Sequence, residues 1–495
     1  MATAKKIRGL LVDAAKAKAI VRIASLTLAL AAGSPAVAQT SAVDSYDPLS
    51  VHALAPKSQL GDVDAASICN FSGQSGRALS LADVVDRALC NNPQTHAAWA
   101  NARAQAAQVG IARSAYLPTL TGTGSVTLNE TNGGVRSAGA QISNATRYTQ
   151  ETAGLTLGYL LYDFGARKAS LESALQTLSA LNFTQDAAVQ SVFLKAEQAY
   201  YQLFAAQAAV VSSKEAERSG LESFKAAAAR LDAGAGTIAD KLQAQTAYSQ
   251  AVLNRIQAEG NSKNAQGVLA NVMGLDAHQP LDVITPEIRQ PDAAFERDLS
   301  QLIDDARKRR PDLAAAEAQV KAARANIDAA KAAGLPTLSL AGGFNYTDSN
   351  SFDPFRTSSL GVTVSIPLFT GFNRTYQVQS AQARLENQIA ARNTVSLQIA
   401  LDVWQAYQNL ATGTQSVRSS ADLVASATES ERVALGRYKA GAGTIIDLLN
   451  AQSALASARL QNIQALYNWY IAKATLAQSL GQLDLTELGA LQSKP

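Results

Sequence analysis

Few residues in this chain of 495 amino acids are of types that do chemistry, and fewer still stand in a useful pattern. The three histidines, His52, His96 and His278, are scattered, with no metal-ligand spacing and no partner pattern around them. Asp163-Phe164-Gly165 spells a kinase triplet without any other kinase element, and Gly234-x-Gly236 lacks the preceding strand and further glycine of a phosphate loop. An enzyme is therefore not expected, nor a cofactor, nor a metal. The two cysteines, Cys69 and Cys90, could form a disulfide tying an N-terminal arm to the first helix; two free thiols are the alternative. What remains is a pair of carboxylates, Asp240 and Asp447, each set in a motif that occurs twice. Arg230 to Gln245 and Arg437 to Gln452 are offset by 207 residues and identical at eleven of sixteen positions. Gly234 and Gly441 suit a chain that must turn through left-handed backbone angles at a helix end. Thr237 and Thr444 then stand where a helix N-cap is expected, with the two acids in the first turn, complementing the helix dipole.

The surrounding composition says what elements position these tips. Aromatic residues make up 6% and charged residues 17% of the chain, and alanine is abundant, so long helices can pack closely over their whole length. Residues 1–38 are expected to be an export signal: Lys5, Lys6, Arg8, Lys16, Lys18 and Arg22 precede an apolar run, and Ala36-Val37-Ala38 fits the cleavage rule. Removing them turns a formal charge of +3 into −2, so the basicity belongs to the leader and implies no nucleic-acid partner. No later apolar stretch approaches the roughly 18 residues of a membrane-spanning helix, so a role in the membrane would have to come from strands.

Residues 39–78 form an expected extended arm. A first repeat spans 79–275, opening with a helix near Ser80 that is kinked or broken at Asn92-Pro93. A strand pair over 117–162 follows, with alternation clearest from Leu120 to Leu128 and from Leu155 to Leu161, and a loop rich in Gly, Asn and Ser between them. The segment 166–232 contains no proline and only Gly220, which predicts a helix about 100 Å long. The tip 233–237 and a helix over 238–275 complete this half, and a proline-punctuated linker spans 276–297. The second repeat, 298–482, has the same order: a helix, a strand pair over 335–369 read as strands 338–347 and 359–369, a long helix over 372–437, a tip over 440–444 and a helix over 444–481. A tail, 483–495, ends the chain. The offset between the halves drops from 218 to 207 across the strands, so the first strand pair carries eleven extra residues, expected in an exposed loop. Four strands cannot close a barrel in lipid, so several copies must pool them; three would supply twelve.

This order, given twice, resembles the TolC-type outer-membrane export channels. The residues that carry the resemblance are the two Gly-tip-Asp motifs, the paired Leu117-Pro118-Thr119-Leu120 and Leu335-Pro336-Thr337-Leu338 strand starts, and the strand exits Leu161-Tyr162-Asp163-Phe164-Gly165 and Pro367-Leu368-Phe369-Thr370-Gly371. The resemblance covers about residues 79–482 and implies a mainly α fold with a β-barrel part. Duplicated helical hairpins would form a trimeric α-helical barrel continuous with a twelve-stranded transmembrane β-barrel, four strands from each protomer. It further implies that the tips close the tunnel and meet a periplasmic adaptor protein fed by an inner-membrane pump, ABC-type or proton-driven.

By position, the resemblance places Asp240, Asp447 and Asn450 at the periplasmic constriction and Tyr438 at a residue that ties the coils shut. Gly443 stands where some members have Arg, with Arg437 a candidate substitute. Ala233, Gly234, Ala235, Ala440, Gly441 and Ala442 match the adaptor-docking grooves. Three copies of each acid around a pore would make acidic rings that attract cations. The plainer reading keeps both acids as helix-start residues, and the two are compatible. Strand-end aromatics such as Tyr159, Tyr162, Phe344, Tyr346 and Phe369 would mark membrane interfaces or simply pack the strands; Trp99, Trp404 and Trp469 read as helix packing. The expected function is a passive outer-membrane exit duct for type I protein secretion or small-molecule efflux. Cys69-Asn70-Phe71 and Ala88-Leu89-Cys90-Asn91-Asn92-Pro93 look more like secretion-type members. The alternative is a periplasmic coiled-coil scaffold without a membrane pore, a reading that the strand alternation opposes.

Overall fold

The computed structural model describes residues 47–55, 69, 78–137, 140–286, 291 and 298–482. The expected signal, most of the arm, much of the linker and the tail lie outside these residues. Residues 1–50 form one unit, of which 47–50 make a turn closed by Ser50 N–H donating to the Asp47 carbonyl. Everything that follows belongs to the second unit, residues 51–495.

Helix α1, Leu81–Asn91, starts on a capping box in which Ser80 and Asp83 satisfy each other's backbone N–H groups. Asn92 then caps α2, Pro93–Ser114, by accepting from Gln94 N–H, and Pro93 takes the first helical position, where no N–H is missed. The Asn-Pro pair is thus a full break, and Asn92 Nδ2 also donates to the Val272 carbonyl at 2.9 Å.

Strands β1, Thr119–Ser137, and β2, Ala140–Tyr162, pair antiparallel from Thr119↔Gly158 out to Ser137↔Ala140. Here the structure corrects two expectations. The Gly- and Asn-rich segment read as a loop is paired strand, and the extra residues of the first repeat lengthen its strands. Continuous register from Thr119↔Gly158 to Ser137↔Ala140 pairs the two strands along their shared edge, and that outweighs the weak strand preference of the side chains. Strands β3, Thr337–Ser349, and β4, Phe355–Ser365, complete a single sheet in the order β1-β2-β3-β4. Strand β4 starts and stops four residues earlier than its alternation suggested. Pro367 has no N–H to give a ladder, so the apolar alternation through Ile366 and Leu368 outlasts the pairing.

Helix α3, Ala166–Asp232, and α7, Asn373–Lys439, have 67 residues each; α4, Ile238–Val272, and α8, Ile445–Ser479, have 35 each. The short helices of the second half, α5, Leu299–Arg309, and α6, Pro311–Ala332, match α1 and α2 at 11 and 22 residues. Two cores occupy equivalent places. Val84, Ala88, Val192, Ala199, Leu203 and Leu269 pack one, and Leu302, Ala306, Ile399, Ala406, Leu410 and Leu476 pack the other. Where each chain leaves the sheet for a long helix, an arginine ties the junction to the end of the preceding short helix. Arg167 pairs with Asp163 at 3.0 Å and donates to the Leu160 and Ala115 carbonyls, while Arg374 donates to the Lys331 carbonyl.

Candidate functional site

The two hairpins, α3–α4 and α7–α8, end in tips of the same construction. Gly234 and Gly441 have φ of +72° and +73°, so each chain passes through the left-handed region where a Cβ would be strained. Behind them Ala235 N–H donates to the Arg230 carbonyl at 2.8 Å and Ala442 N–H to the Arg437 carbonyl at 2.9 Å, closing the helix ends. All six expected docking residues, Ala233, Gly234, Ala235, Ala440, Gly441 and Ala442, are exposed.

Thr237 and Thr444 are N-caps, and each forms a reciprocal capping box with its acid. Thr237 N–H and Oγ1 both donate to Asp240 Oδ2, at 3.0 and 2.8 Å, while Asp240 N–H donates to Thr237 Oγ1 at 3.1 Å. Asp447 repeats the arrangement with Thr444 at 3.2 and 3.1 Å. These bonds to Thr237 and Thr444 hold both carboxyl groups below the ordinary carboxylate range, helped by the charges of Arg230 and Arg437. Both acids are therefore anchored anions at neutral pH.

Not all of the expected gate residues converge within one protomer. Asp447, Asn450, Arg437 and Gly443 line one groove of about 620 Å³, together with Glu429 and Val433. Tyr438 faces away from it, into a second groove of about 660 Å³ lined by Arg218, Ser223, Arg230, Leu448 and Gln452. Asp240 lines neither of these two grooves. Arg437 donates to the Ala442 carbonyl of its own tip at 3.3 Å. Arg230, which meets Tyr438, was not singled out by sequence reasoning; its identity in both copies of the motif was the available signal. Glu197 of α3 was missed too, because only burial makes it unusual: its carboxyl is pushed up to about 7, with Lys473 opposing the shift.

At the other end of the hairpins the sheet presents exposed apolar side chains, among them Leu120 of β1 and Leu360, Val362 and Val364 of β4. Cys69 and Cys90 are joined by a disulfide, with 5.6 Å between their Cα atoms. Among the described residues no helix is long and apolar enough to cross a membrane.

A sheet with an apolar surface, continued by twin helical hairpins that end in tight glycine turns each followed by a capping aspartate, defines an outer-membrane channel-tunnel. The sequence pattern of the family described as Outer membrane efflux protein matches residues 84–275 and 302–482. Protein CyaE of Bordetella pertussis is 33% identical over 389 residues, spanning 78% of this chain and 80% of that protein. Proteases secretion protein PrtF of Dickeya chrysanthemi is 25% identical over 439 residues, 86% of this chain and 94% of that one. Among solved structures, a membrane protein from Pseudomonas aeruginosa superposes with a TM-score of 0.72 at 26% identity, covering 81% of this chain and 93% of its own. The chain belongs to the outer membrane efflux protein family, as the TolC-type resemblance implied, and its location is the Gram-negative outer membrane.

Proposed function

We propose that three copies of this chain assemble into a passive exit duct, the outer-membrane member of a tripartite export system. The observation that carries this is the sheet. Its order β1-β2-β3-β4 leaves β1 and β4 as edges within the protomer, and Leu360, Val362 and Val364 on β4 are 75%, 60% and 59% exposed. Open edges and bare backbone are not tolerated in lipid, so neighbouring copies must supply the missing pairing, and twelve strands then make the wall. The helical hairpins prolong that wall into the periplasm. A cleaved signal over residues 1–38 would deliver the chain there.

The tips at the periplasmic end are the gate and the docking surface. Asp240, Asp447 and Asn450 ring the constriction, Arg437 lies against Asp447, and Tyr438 restrains the coils. A periplasmic adaptor seats on the exposed Gly-Ala turns, and an inner-membrane pump, ABC-type or proton-driven, supplies the energy. Protein secretion is the favoured cargo class, supported by the stretch around Cys69 and Cys90 and by the likeness to a protease secretion protein. The detergent-extracted protein is expected to run as a heat-modifiable trimer and to conduct in planar bilayers; a folded monomer without conductance would contradict the proposal. Asp240→Ala together with Asp447→Ala is expected to change single-channel conductance and its block by multivalent cations. Unchanged traces would remove the acids from the gate and leave them as caps alone.

A further inference from the structure

Each time the chain leaves the sheet for a long helix it turns on two successive left-handed residues, and one of the two is a phenylalanine. In the first repeat Phe164 and Gly165 have φ of +51° and +92°; in the second Gly371 and Phe372 have +61° and +64°. Glycine accepts such angles freely and a side chain is strained there, so the turn itself asks for no ring at either place. The rings gain contact on one side only. Phe164 meets Tyr162 edge-on at 4.8 Å between centroids, Phe372 meets Phe369 at 5.7 Å, and the two phenylalanines stay 48% and 64% exposed. They prolong the apolar surface of the sheet, since Ile366, Leu368 and Phe369 beyond β4 are exposed as well.

A cation follows each ring, and the two repeats treat it differently. Arg167 pairs with Asp163, donates to carbonyls of its own junction and lies 4.8 Å from the centroid of the Tyr116 ring. Its counterpart 207 residues on is Arg374, and the position corresponding to Asp163 holds Thr370. Tyr116 corresponds to Gly334, and the Arg374 side chain lies in the space that a Cβ at Gly334 would fill. Among the described residues Arg374 makes one hydrogen bond, from Nη2 to the Lys331 carbonyl at 3.3 Å, and no ion pair. Asp328, a carboxylate of α6, is held by Lys331 at 3.8 Å. The guanidinium of Arg374 therefore keeps most of its donors and its charge for a group outside the protomer.

We propose that the exit turn of the second repeat is a seat for a phospholipid of the inner leaflet, with the phosphodiester on Arg374 and the glycerol and upper acyl chains against Phe369 and Phe372. This rests on the export reading above, which puts the sheet in the outer membrane and the helices in the periplasm. Aromatic rings are favoured at the depth where hydrocarbon gives way to headgroups, and there a strained ring with a bare face has a use. A guanidinium offers a phosphate two parallel N–H groups, and its weak hydration lets it do so from a half-buried position. A free anion would satisfy the cation and leave the rings bare. An amphiphile satisfies both, and the apolar surface running unbroken from β4 to Phe372 brings one to the spot. The first repeat has the ring without a free cation, so its turn enters the interface but selects no headgroup.

The test is native mass spectrometry of the full-length, detergent-purified trimer titrated with dioleoyl-phosphatidylglycerol, with dioleoyl-phosphatidylcholine and with inorganic phosphate. Wild type is expected to take one phosphatidylglycerol for each copy ahead of further adducts, to take phosphatidylcholine more weakly, and to keep its lipid when phosphate is added. R374Q should weaken that first set on the order of tenfold, the size of one charge-assisted hydrogen bond. T370D, which gives Arg374 the acid that Arg167 already has, should do the same. F372G, relaxed at that φ, should weaken both lipids alike. Phosphate that displaces the lipid from the wild type would make Arg374 a plain anion site and overturn the seat. So would R374Q or F372G binding lipid as tightly as wild type. A trimer that R374Q or T370D weakens equally with and without added lipid would put a neighbouring copy against Arg374, with the same consequence. T370D recreates a pairing present in the first repeat, so it decides the matter even where R374Q fails to assemble. A purified protein that forms no trimer removes the export reading and the seat with it, whereas a trimer with unmoved variants removes the seat alone.

Discussion

Asp240 and Glu197 are both carboxyl groups on long helices, and their surroundings send them in opposite directions. Asp240 and Asp447 accept from the hydroxyl or backbone N–H of their cap residues, which lowers their proton affinity below the ordinary value of 3.8. A lowered value stabilises the fold above the ordinary carboxylate range, and that stabilisation is lost as pH falls through the folded value. Glu197 is raised from 4.5 to about 7 by burial. The folded chain therefore keeps a proton that the unfolded chain releases, and stability falls as pH rises from about 4.5 through 7. Glu197→Gln is expected to remove this dependence: thermal melts of the variant and the wild type should coincide near pH 4 and separate by pH 8, with the variant the more stable. Coincident melts at pH 8 would show that Glu197 is not held neutral. The sequence displays Glu197 as one acid among 40 acidic residues, because only packing distinguishes it.

At the scale of elements, local chemistry settles most boundaries. Gly234 at φ +72° and Gly441 at +73° end the long helices, and Gly→Ala at either is expected to cost about 1–2 kcal/mol, the penalty of a left-handed Cβ. Faster amide exchange confined to the affected tip would check this, and unchanged exchange would contradict it. Cys90→Ser opens a bridge spanning 21 residues, for which loop-closure arguments give about 3 kcal/mol, read as a lower melting temperature. Helix α3 is legible to the residue, since Asp163 and the turn at Phe164-Gly165 start it and Gly234 stops it. The strands are less so. Residues 129–154 carry turn-forming side chains, yet their pairing partners lie across the hairpin and in β3, which no local pattern names. Pro367 was visible, but the alternation running past it was the stronger local signal, and it misplaced the end of β4.

For the molecule as a whole, the sheet is the part that cannot stand alone. Val362→Arg, toward the middle of β4 on its apolar face, is expected to cost about 2–4 kcal/mol for each copy if it lies at mid-bilayer. The measurement is the yield of heat-modifiable trimer in the outer-membrane fraction; an undiminished yield would place that face away from lipid. The duplication was plain in the sequence because identical motifs recur at a fixed spacing, and with it came the order of elements, the tips, their caps and the need for more than four strands. All of these rest on interactions among residues near one another in the chain, or on counting. The tertiary structure alone decided which repeated residues meet: equivalent cores on α3 and α7, Glu197 partly shielded from water, and Arg230 laid on the ring of Tyr438, 208 residues away. Contacts of that range depend on how two long helices lie against each other, and neither helix encodes that in its own periodicity.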